Sequence, residues 1–203
     1  MKTMAEPVTR TLDVPGATLA YDVRSGGPGD APVLLMIGSP MGAAGFGSLA
    51  GHFADRTVVT YDPRGVERSE KADPSTQSTP DDHADDLHRL ISALQAGPVD
   101  LFASSGGAVN ALALVARNPD DVRTLVAHEP PAAQVVPDRD AALAACRAIH
   151  DTYQRSGSGA GMAHTSSPSS ATRASSRTTS PNSRHRTRRC SGCRPRTTAH
   201  ERT

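Results

Sequence analysis

Short, continuously apolar segments alternate along roughly the first 160 residues with longer segments whose apolar positions recur every three or four residues. The first kind is typical of strands buried on both faces, and the second of helices with one apolar face. The predicted strands are 32–37, 57–61, 99–102 and 122–127, and the predicted helices are 46–53, 81–96, a segment after Gly107, and 139–155. Two alternating segments around Pro15-Gly16 predict a hairpin. The order predicts a doubly wound, mostly parallel α/β sheet with a short antiparallel start.

The most informative pattern lies where the third of these strands meets its helix. The apolar run ends at five small residues, Ala103-Ser-Ser105-Gly-Gly107, and a helical pattern follows at once. A strand that turns directly into a helix at a serine gives that serine a strained backbone, and only small neighbours let the chain pass so closely. The segment matches the G-x-S-x-G nucleophile elbow with Ala103 at the first glycine position. The alternative is an ordinary strand–helix turn of another α/β fold.

On this motif the chain resembles the α/β-hydrolase superfamily, and the resemblance implies that Ser105 is a catalytic nucleophile. Two further segments carry the likeness. Gly38-Ser39-Pro40 is similar to the family's H-G-x-P loop, with Ile37 in place of the histidine. Asp62–Ser69 resembles the family's D-x-R-G-x-G-x-S segment, with Glu67 where glycine is usual. Together the three segments extend the resemblance over about residues 30–130 and imply a sheet of α/β-hydrolase type.

The resemblance also implies which groups would stabilise an oxyanion. One donor is the backbone N–H of Gly106, after the nucleophile, and the other comes from the loop after the third strand of the fold. By alignment that second donor is the N–H of Ser39, with Met41 as an alternative and a plain Gly/Pro turn as the non-functional interpretation. Asp62 and Arg64 are expected to brace the turn beneath the site through charge-assisted hydrogen bonds.

The general base and its acid are not found at the family's positions. The family order is Ser, then an acid, then His, with the last two after the seventh and eighth strands, whereas this foldable sequence ends after about six strands and one helix. Glu129 is the candidate alternative acid, and a structural or surface role is its other interpretation. His128 is expected to point to the opposite face from Glu129. No histidine is predicted as the base, since the others fall on solvent-facing helix surfaces (His52, His83, His88, His150) or in the tail (His164, His185, His200).

The composition changes abruptly after residue 156. Residues 1–156 contain 13 basic and 20 acidic side chains, whereas 157–203 contain nine arginines and one acid. After Met162 no Val, Ile, Leu, Met, Phe, Tyr or Trp occurs, so this stretch cannot bury enough apolar surface to offset the ordering of its backbone. We therefore predict a partial α/β-hydrolase domain over 1–156, incomplete at its C-terminal side, and a disordered Arg/Ser/Thr/Pro-rich tail over 157–203.

The tail supports one hypothesis about its origin and two weaker interpretations. A change of reading frame near Ala163 would explain its composition and the loss of two triad members, and the nucleotide sequence of the gene tests this. The basic segment 184–189 could attract nucleic acid. However, the sequence shows no folded domain that would read bases and, in the tail, no aromatic residues on which bases could stack. Cys190 and Cys193 lack the second pair that a zinc site needs. We expect neither nucleic acid nor a metal as a partner.

The resemblance implies a serine hydrolase acting on a small ester, thioester or amide, without a cofactor. The N-terminus has no apolar leader segment and no long apolar run occurs, so we expect a soluble protein of the cytoplasm with no membrane partner. Turnover should be very weak or absent, because a serine without a base stays protonated. The alternatives are a non-catalytic remnant that binds a partner, and a cofactor-free haloperoxidase or lyase on the same fold. The oligomeric state is not predicted.

Overall fold

The computed structural model describes residues 6–27 and 30–165. In chain order its elements are β1 (Val8–Val14), β2 (Ala17–Arg24), β3 (Leu34–Ile37), a 3₁₀ turn (Ala43–Phe46), α1 (Gly47–Ala50), β4 (Val58–Tyr61), β5 (Glu70–Lys71), α2 (Pro80–Leu94), β6 (Val99–Ser104), α3 (Gly106–Arg117), a second 3₁₀ turn (Pro119–Asp121), β7 (Val122–His128) and α4 (Arg139–Thr165). The chain divides between Pro137 and Asp138 into two units, so α4 is described by itself.

The first unit is built on one sheet with the strand order β1-β2-β4-β3-β6-β7, to which β5 adds by pairing with β2. The β1–β2 hairpin is antiparallel and closes with Val14 opposite Ala17, as the Pro15-Gly16 turn predicts. The pairs β3–β4, β3–β6 and β6–β7 are parallel. The predicted mostly parallel sheet with an antiparallel start is confirmed, and the two-residue strand β5 is the element that the sequence did not indicate.

Alternate residues of β3 contribute to two separate cores on the two faces of the sheet. Leu35 and Ile37 pack in the larger core with side chains of α2 and α3. Leu34 and Met36 face the other way and pack with Phe46, from the turn before α1. Because the sheet is covered on both faces here, its strands have no polar side, and this accounts for their continuous apolar sequence.

Helix α2 begins one residue before the predicted start. Its N-cap is Thr79, whose hydroxyl accepts a hydrogen bond from the Asp82 amide at 3.2 Å, while the Asp82 carboxylate accepts one from the Thr79 amide at 2.8 Å. This reciprocal capping box satisfies amides that the first turn would otherwise leave unpaired. The helix ends at Leu94, followed by Gln95 at φ 52°. The predicted stop at Gly97-Pro98 is therefore a few residues late.

A cluster of charged side chains lies on β6, at the end of the strand away from Ser105. Asp100 accepts hydrogen bonds from Arg123 at 2.9 Å and from Arg56 at 2.7 Å. The pKa of Asp100 is lowered from its ordinary 3.8 to about 2; the bonds from Arg123 are the largest cause, the bond from Arg56 acts in the same sense, and burial opposes both. The ionised carboxylate joins β6 to β7 and to the segment before β4.

This cluster predicts acid sensitivity. The pKa of Asp100 is lower in the folded chain than the ordinary value, so its contribution to stability is complete above about pH 4 and is lost as the pH falls towards about 2. Urea unfolding between about pH 5 and 2.5 should show a shallower fall in the free energy of unfolding for Asp100→Asn than for the wild type. Asp120→Asn, which changes an exposed side chain, should keep the wild-type slope, and equal slopes for all three chains would contradict the prediction.

The last described element is α4, which contains a kink. Gly157 has φ 81° and ψ 177°, a non-helical conformation that separates two helical segments. The predicted domain boundary at residue 156 lies beside this kink, and helix continues past it to Thr165. The rest of the predicted tail, with Cys190, Cys193, His185 and His200, lies outside the described residues. Within 6–27 and 30–165, no helix combines the length and the apolar character that crossing a bilayer requires.

Candidate active site

Three parallel strands of the sheet end side by side, and the residues after them meet at one edge. Ile37 of β3 is the register partner of Ala103 in β6, and Ser104 of β6 is the partner of His128 in β7. The residues that follow these pairs include Ser39, Ser105 and Glu129, which are three of the predicted site residues. The carboxyl edge of such a sheet is where ligands of doubly wound folds bind.

Ser105 occupies the junction between β6 and α3 in a strained conformation. Its φ of 55° and ψ of −126° lie in a region that residues other than glycine rarely adopt. The Ser105 amide donates to the carbonyl of His128 at 2.9 Å, and the Ser105 carbonyl accepts from the amide of Ala108 at 2.9 Å. The side chain is exposed, and within the described residues its hydroxyl forms no hydrogen bond. The backbone on both sides thus holds a hydroxyl in solvent at the start of a helix.

The strain at this position predicts a change in stability. Ser105→Gly removes the Cβ that makes a positive φ unfavourable, and strain of this kind costs about 1–3 kcal/mol. The greater freedom of glycine in the unfolded chain offsets part of the gain, so we expect a net stabilisation of about 1 kcal/mol in urea unfolding. Ser105→Ala keeps the Cβ and should leave stability nearly unchanged. A glycine variant less stable than the alanine variant would contradict the strain.

The loop after β3 lies directly against the first turn of α3. A Cβ at Gly106 would be 2.8 Å from the Ser39 carbonyl oxygen, and one at Gly107 would be 2.8 Å from the Gly38 Cα. The two glycines therefore allow a contact between backbones that a larger residue would prevent. The Ser39-Pro40 bond in this loop is cis. In the part of the chain that the structure describes, the Ser39 amide has no hydrogen-bond acceptor. The Gly106 amide lies in the first turn of α3, where amides have no acceptor within their own helix.

Asp62 braces this loop from beneath, as the sequence predicts. Its buried carboxylate accepts a hydrogen bond from the Ala43 amide at 2.7 Å, and its second oxygen accepts from the amide and Nε of Arg68 at 3.2 and 2.7 Å. A Cβ at Gly42 would be 2.6 Å from the same carboxylate, so the loop and the carboxylate are in close contact. Glu67 has φ 50°, a left-handed conformation that accounts for the family's glycine there.

Arg64 provides the second brace through an ion pair that the sequence reasoning did not locate. Its guanidinium binds both oxygens of Asp86 in α2, with the Nε to Oδ2 distance at 2.7 Å. The side chain of Asp86 is fully buried and that of Arg64 is 10% exposed. The hydrogen bonds that Arg64 donates to the Asp86 carboxylate hold the pKa of Arg64 above its usual range. This pair fixes the end of β4 against α2.

Two of the histidines, His83 and His88, differ from their predicted placement. The Nδ1 of His128 is 3.4 Å from the Ser104 Oγ, a contact that the sequence reasoning missed. His83 and His88 are half-buried rather than solvent-facing; burial lowers the pKa of His83, and His88 binds Asp121 at 2.6 Å. The other two predicted helix-surface histidines, His52 and His150, are exposed as expected.

Neither the base nor the acid of a triad is found at Ser105 in the part of the chain that the structure describes. No histidine there forms a hydrogen bond to the Ser105 hydroxyl. Glu129 follows β7 with an exposed side chain and φ 49°, and it also forms no bond to that hydroxyl, so its role as an alternative acid stays a prediction. Among the same residues, no three His, Cys, Asp or Glu side chains come together as a metal site would require.

Residues 31–147 match the protein family described as the alpha/beta hydrolase fold. The chain belongs to this family. Its elbow, its loop after β3 and its braced turn after β4 are all inside the matched region.

The relatives of this α/β-hydrolase chain include two proteins named as hydrolases. An uncharacterized hydrolase of Bacillus subtilis, YraK, is 42% identical over 121 residues, which are 59% of this chain and 44% of the relative. The 2-(acetamidomethylene)succinate hydrolase of Mesorhizobium japonicum is 36% identical over 122 residues, which are 59% of this chain and 42% of the relative. The chain thus spans less than half the length of these two relatives.

Solved structures of two hydrolases share the fold of the α/β-hydrolase chain. The crystal structure of E-2-(acetamidomethylene)succinate hydrolase has a TM-score of 0.51 at 34% identity, covering 60% of this chain and 44% of that one. An epoxide hydrolase from Vigna radiata has a TM-score of 0.52 at 25% identity, covering 59% and 37%. These matches support the same sheet in all three proteins.

Proposed function

We propose that this chain is the nucleophile-bearing part of a serine hydrolase, with Ser105 as nucleophile and the amides of Ser39 and Gly106 as the oxyanion hole. The substrate is a small ester, thioester or amide. The observation that carries the proposal is the conformation of Ser105, whose exposed hydroxyl is held at positive φ beside the loop that contains Ser39. A strained serine between a strand and a helix is the arrangement that presents a hydroxyl for attack.

In the proposed reaction, the Ser105 Oγ attacks the carbonyl carbon of the substrate and the carbonyl oxygen gains negative charge. Preorganised N–H donors aimed at that oxygen stabilise the transition state, and loss of one donor costs about 10²–10³ in rate. The Ser39 and Gly106 amides would fill this role, with the positive end of the α3 dipole behind them. No cofactor takes part in these steps.

The proton of the Ser105 hydroxyl needs an acceptor, and this requirement limits the proposed activity. No described histidine binds that hydroxyl, so we propose very weak turnover for the chain as it stands. Enzymes that have lost a triad member keep about 10³–10⁴-fold catalysis over water from the oxyanion hole and binding. Glu129 is our candidate for an acid that would orient a base supplied near Ser105.

The names of the two relatives support hydrolysis as the proposed reaction. Both curated relatives are named hydrolases, and one is named for an acetamido compound, which agrees with attack on an amide or ester carbonyl. We propose a small molecule as the partner and the cytoplasm as the location.

A second candidate, a non-catalytic remnant that binds a partner, is favoured by the outer strand of the sheet. Among the described residues β7 pairs only with β6, and Val126 on it is 52% exposed. An open strand edge with apolar side chains can pair with another chain. Gel filtration tests the second candidate: association or aggregation of the purified chain would favour it, and a soluble chain that does not associate would count against it.

Hydrolysis of p-nitrophenyl butyrate tests the proposed nucleophile. The comparison uses Ser104→Ala, which removes the neighbouring hydroxyl, with and without Ser105→Ala. We expect a slow rate above background that the second substitution removes. The control is the double variant Ser104→Ala/Ser92→Ala. Its second substitution changes an exposed serine of α2, so it should keep that slow rate. Equal rates with and without the Ser105 hydroxyl would refute its role.

A further inference from the structure

The contact between Ser104 and His128 places a second hydroxyl next to an imidazole at the same sheet edge. The two residues are register partners at the ends of β6 and β7, and the Ser104 Oγ is 3.4 Å from the His128 Nδ1. His128 is exposed and Ser104 is half-buried. The imidazole ring packs over Phe102, with the ring centroids 6.1 Å apart and the planes 30° apart. The ring is therefore held in place while its contact with Ser104 stays open to solvent.

We propose that Ser104 and His128 form a second nucleophile–base pair, distinct from Ser105, which accepts acyl groups from activated esters. In this step the Ser104 Oγ forms a bond to the carbonyl carbon and its proton passes to the His128 Nδ1. The bond from that carbon to the alcohol oxygen breaks, and the leaving oxygen takes the proton from the imidazole. The product is an acylated Ser104 and a free alcohol, so no further reactant is needed.

The geometry supports this pair in two ways. A nucleophile and its base lie within hydrogen-bond reach in such sites, and the distance is often longer in unliganded structures than in the reacting complex. The distance of 3.4 Å is at the long end of that reach. The strand alternation also separates the two serines, because Ser104 shares a sheet face with Phe102 whereas Ser105 leaves the sheet at the elbow.

An apolar groove lies on the same sheet face as the pair; neither Ser104 nor His128 lines it, whereas the ion-paired Arg56 and Asp100 do. Phe102 and Val126, each two residues before a member of the pair, line it together with Met36, Leu49 and Phe53. Its volume of about 290 Å³ is close to the lower end of ligand pockets, about 300–1,000 Å³. This groove fits the hydrocarbon part of a short-chain or medium-chain acyl group, so the proposed substrates are activated esters of apolar acids.

The test uses the full chain carrying Ser105→Ala, so that the Ser105 hydroxyl cannot react and an acyl group on Ser104 is told apart from one on Ser39 by peptide mass. The chain is exposed to p-nitrophenyl hexanoate, and acylation is followed by intact mass and located by peptide fragmentation. The expected result is one acyl group on Ser104, formed faster than with p-nitrophenyl acetate. Adding His128→Gln should slow acylation by about 100-fold or more, the contribution of a general base. His52→Gln, which changes an exposed histidine, should leave the rate unchanged.

A purely structural role of His128 predicts a different outcome. In His128→Ala, added imidazole should restore acylation of Ser104 if the side chain acts as a base, whereas imidazole cannot repair a lost contact between strands. Circular dichroism checks that the His128→Ala variant is folded. If it is not, the rate comparison uses His128→Gln in its place. Acylation at other residues, or a rate independent of His128, overturns the proposal. Because the tested variants carry Ser105→Ala, neither result bears on the proposed role of Ser105.

Discussion

Asp86→Ala is expected to lower the free energy of unfolding by about 3–5 kcal/mol, the cost of breaking a buried ion pair by removing one partner. The Asp86 side chain is fully buried and binds the guanidinium of Arg64, which is 10% exposed. Without Asp86 this guanidinium would keep its charge in the interior, because an arginine does not lose its proton there. The measurement is equilibrium unfolding in urea.

The matched control for this prediction is an exposed ion pair on the same helix. Asp85 binds Arg89 one turn away at 2.8 Å, with both side chains at least 40% exposed, and such pairs contribute about 0.3–0.5 kcal/mol. Asp85→Asn should therefore change stability little. Replacing both buried partners, as in Arg64→Met with Asp86→Leu, should recover much of the loss. A single Asp86→Ala that unfolds like the control would show that the pair does not fix the turn after β4.

Gly107→Ala is expected to lower the free energy of unfolding by about 1–3 kcal/mol, the usual cost of overpacking, and to suppress the Ser105-dependent reaction. The new Cβ would lie 2.8 and 2.9 Å from backbone atoms of Gly38, and backbone cannot rotate away as a side chain can. The loop that contains Ser39 must then move, and loss of one oxyanion donor costs about 10²–10³ in rate.

Gly47→Ala is the control for this substitution. Gly47 begins α1 with φ −53°, and a Cβ there would have no heavy atom within 4 Å. Alanine is the better helix former by about 0.5–1 kcal/mol, so this variant should be as stable as the wild type or slightly more stable. If Gly107→Ala behaved in the same way, the close contact between the β3 loop and α3 would be contradicted.

Much of the fold could be predicted because short-range patterns decide it. The buried strands are continuously apolar since both faces of the sheet are covered. The acids Asp81 and Asp82 locate the start of α2 to within one residue, whereas Gly97-Pro98 lies beyond its end at Leu94. Strand β5 could not be predicted, because two residues give no periodicity. The exact start of α2 depends on the side chain of Thr79, which forms a reciprocal cap with Asp82. The usual capping box has Glu or Gln at that position, so the Thr79–Asp82 pair is a weaker sequence signal for a helix start.

The candidate site was only partly visible in the sequence. The elbow and the loop after β3 are local motifs of small residues, so their positions could be read directly. Two contacts depend on register and on tertiary packing instead. The pairing of Arg64 with Asp86 joins residues 22 positions apart. The one feature of the sequence that indicates it is an acidic residue, Asp86, next to Leu87 on the apolar face of α2. The contact of Ser104 with His128 depends on the β6–β7 register, which the sequence pattern does not set.

The most direct test of the central claim is the crystal structure of the Ser104→Ala chain after prolonged treatment with a fluorophosphonate. The account predicts a single phosphonate on the Ser105 Oγ, with a phosphoryl oxygen about 2.7–3.1 Å from the amide nitrogens of Ser39 and Gly106. An adduct at another residue, or a phosphoryl oxygen directed away from both amides, would contradict it.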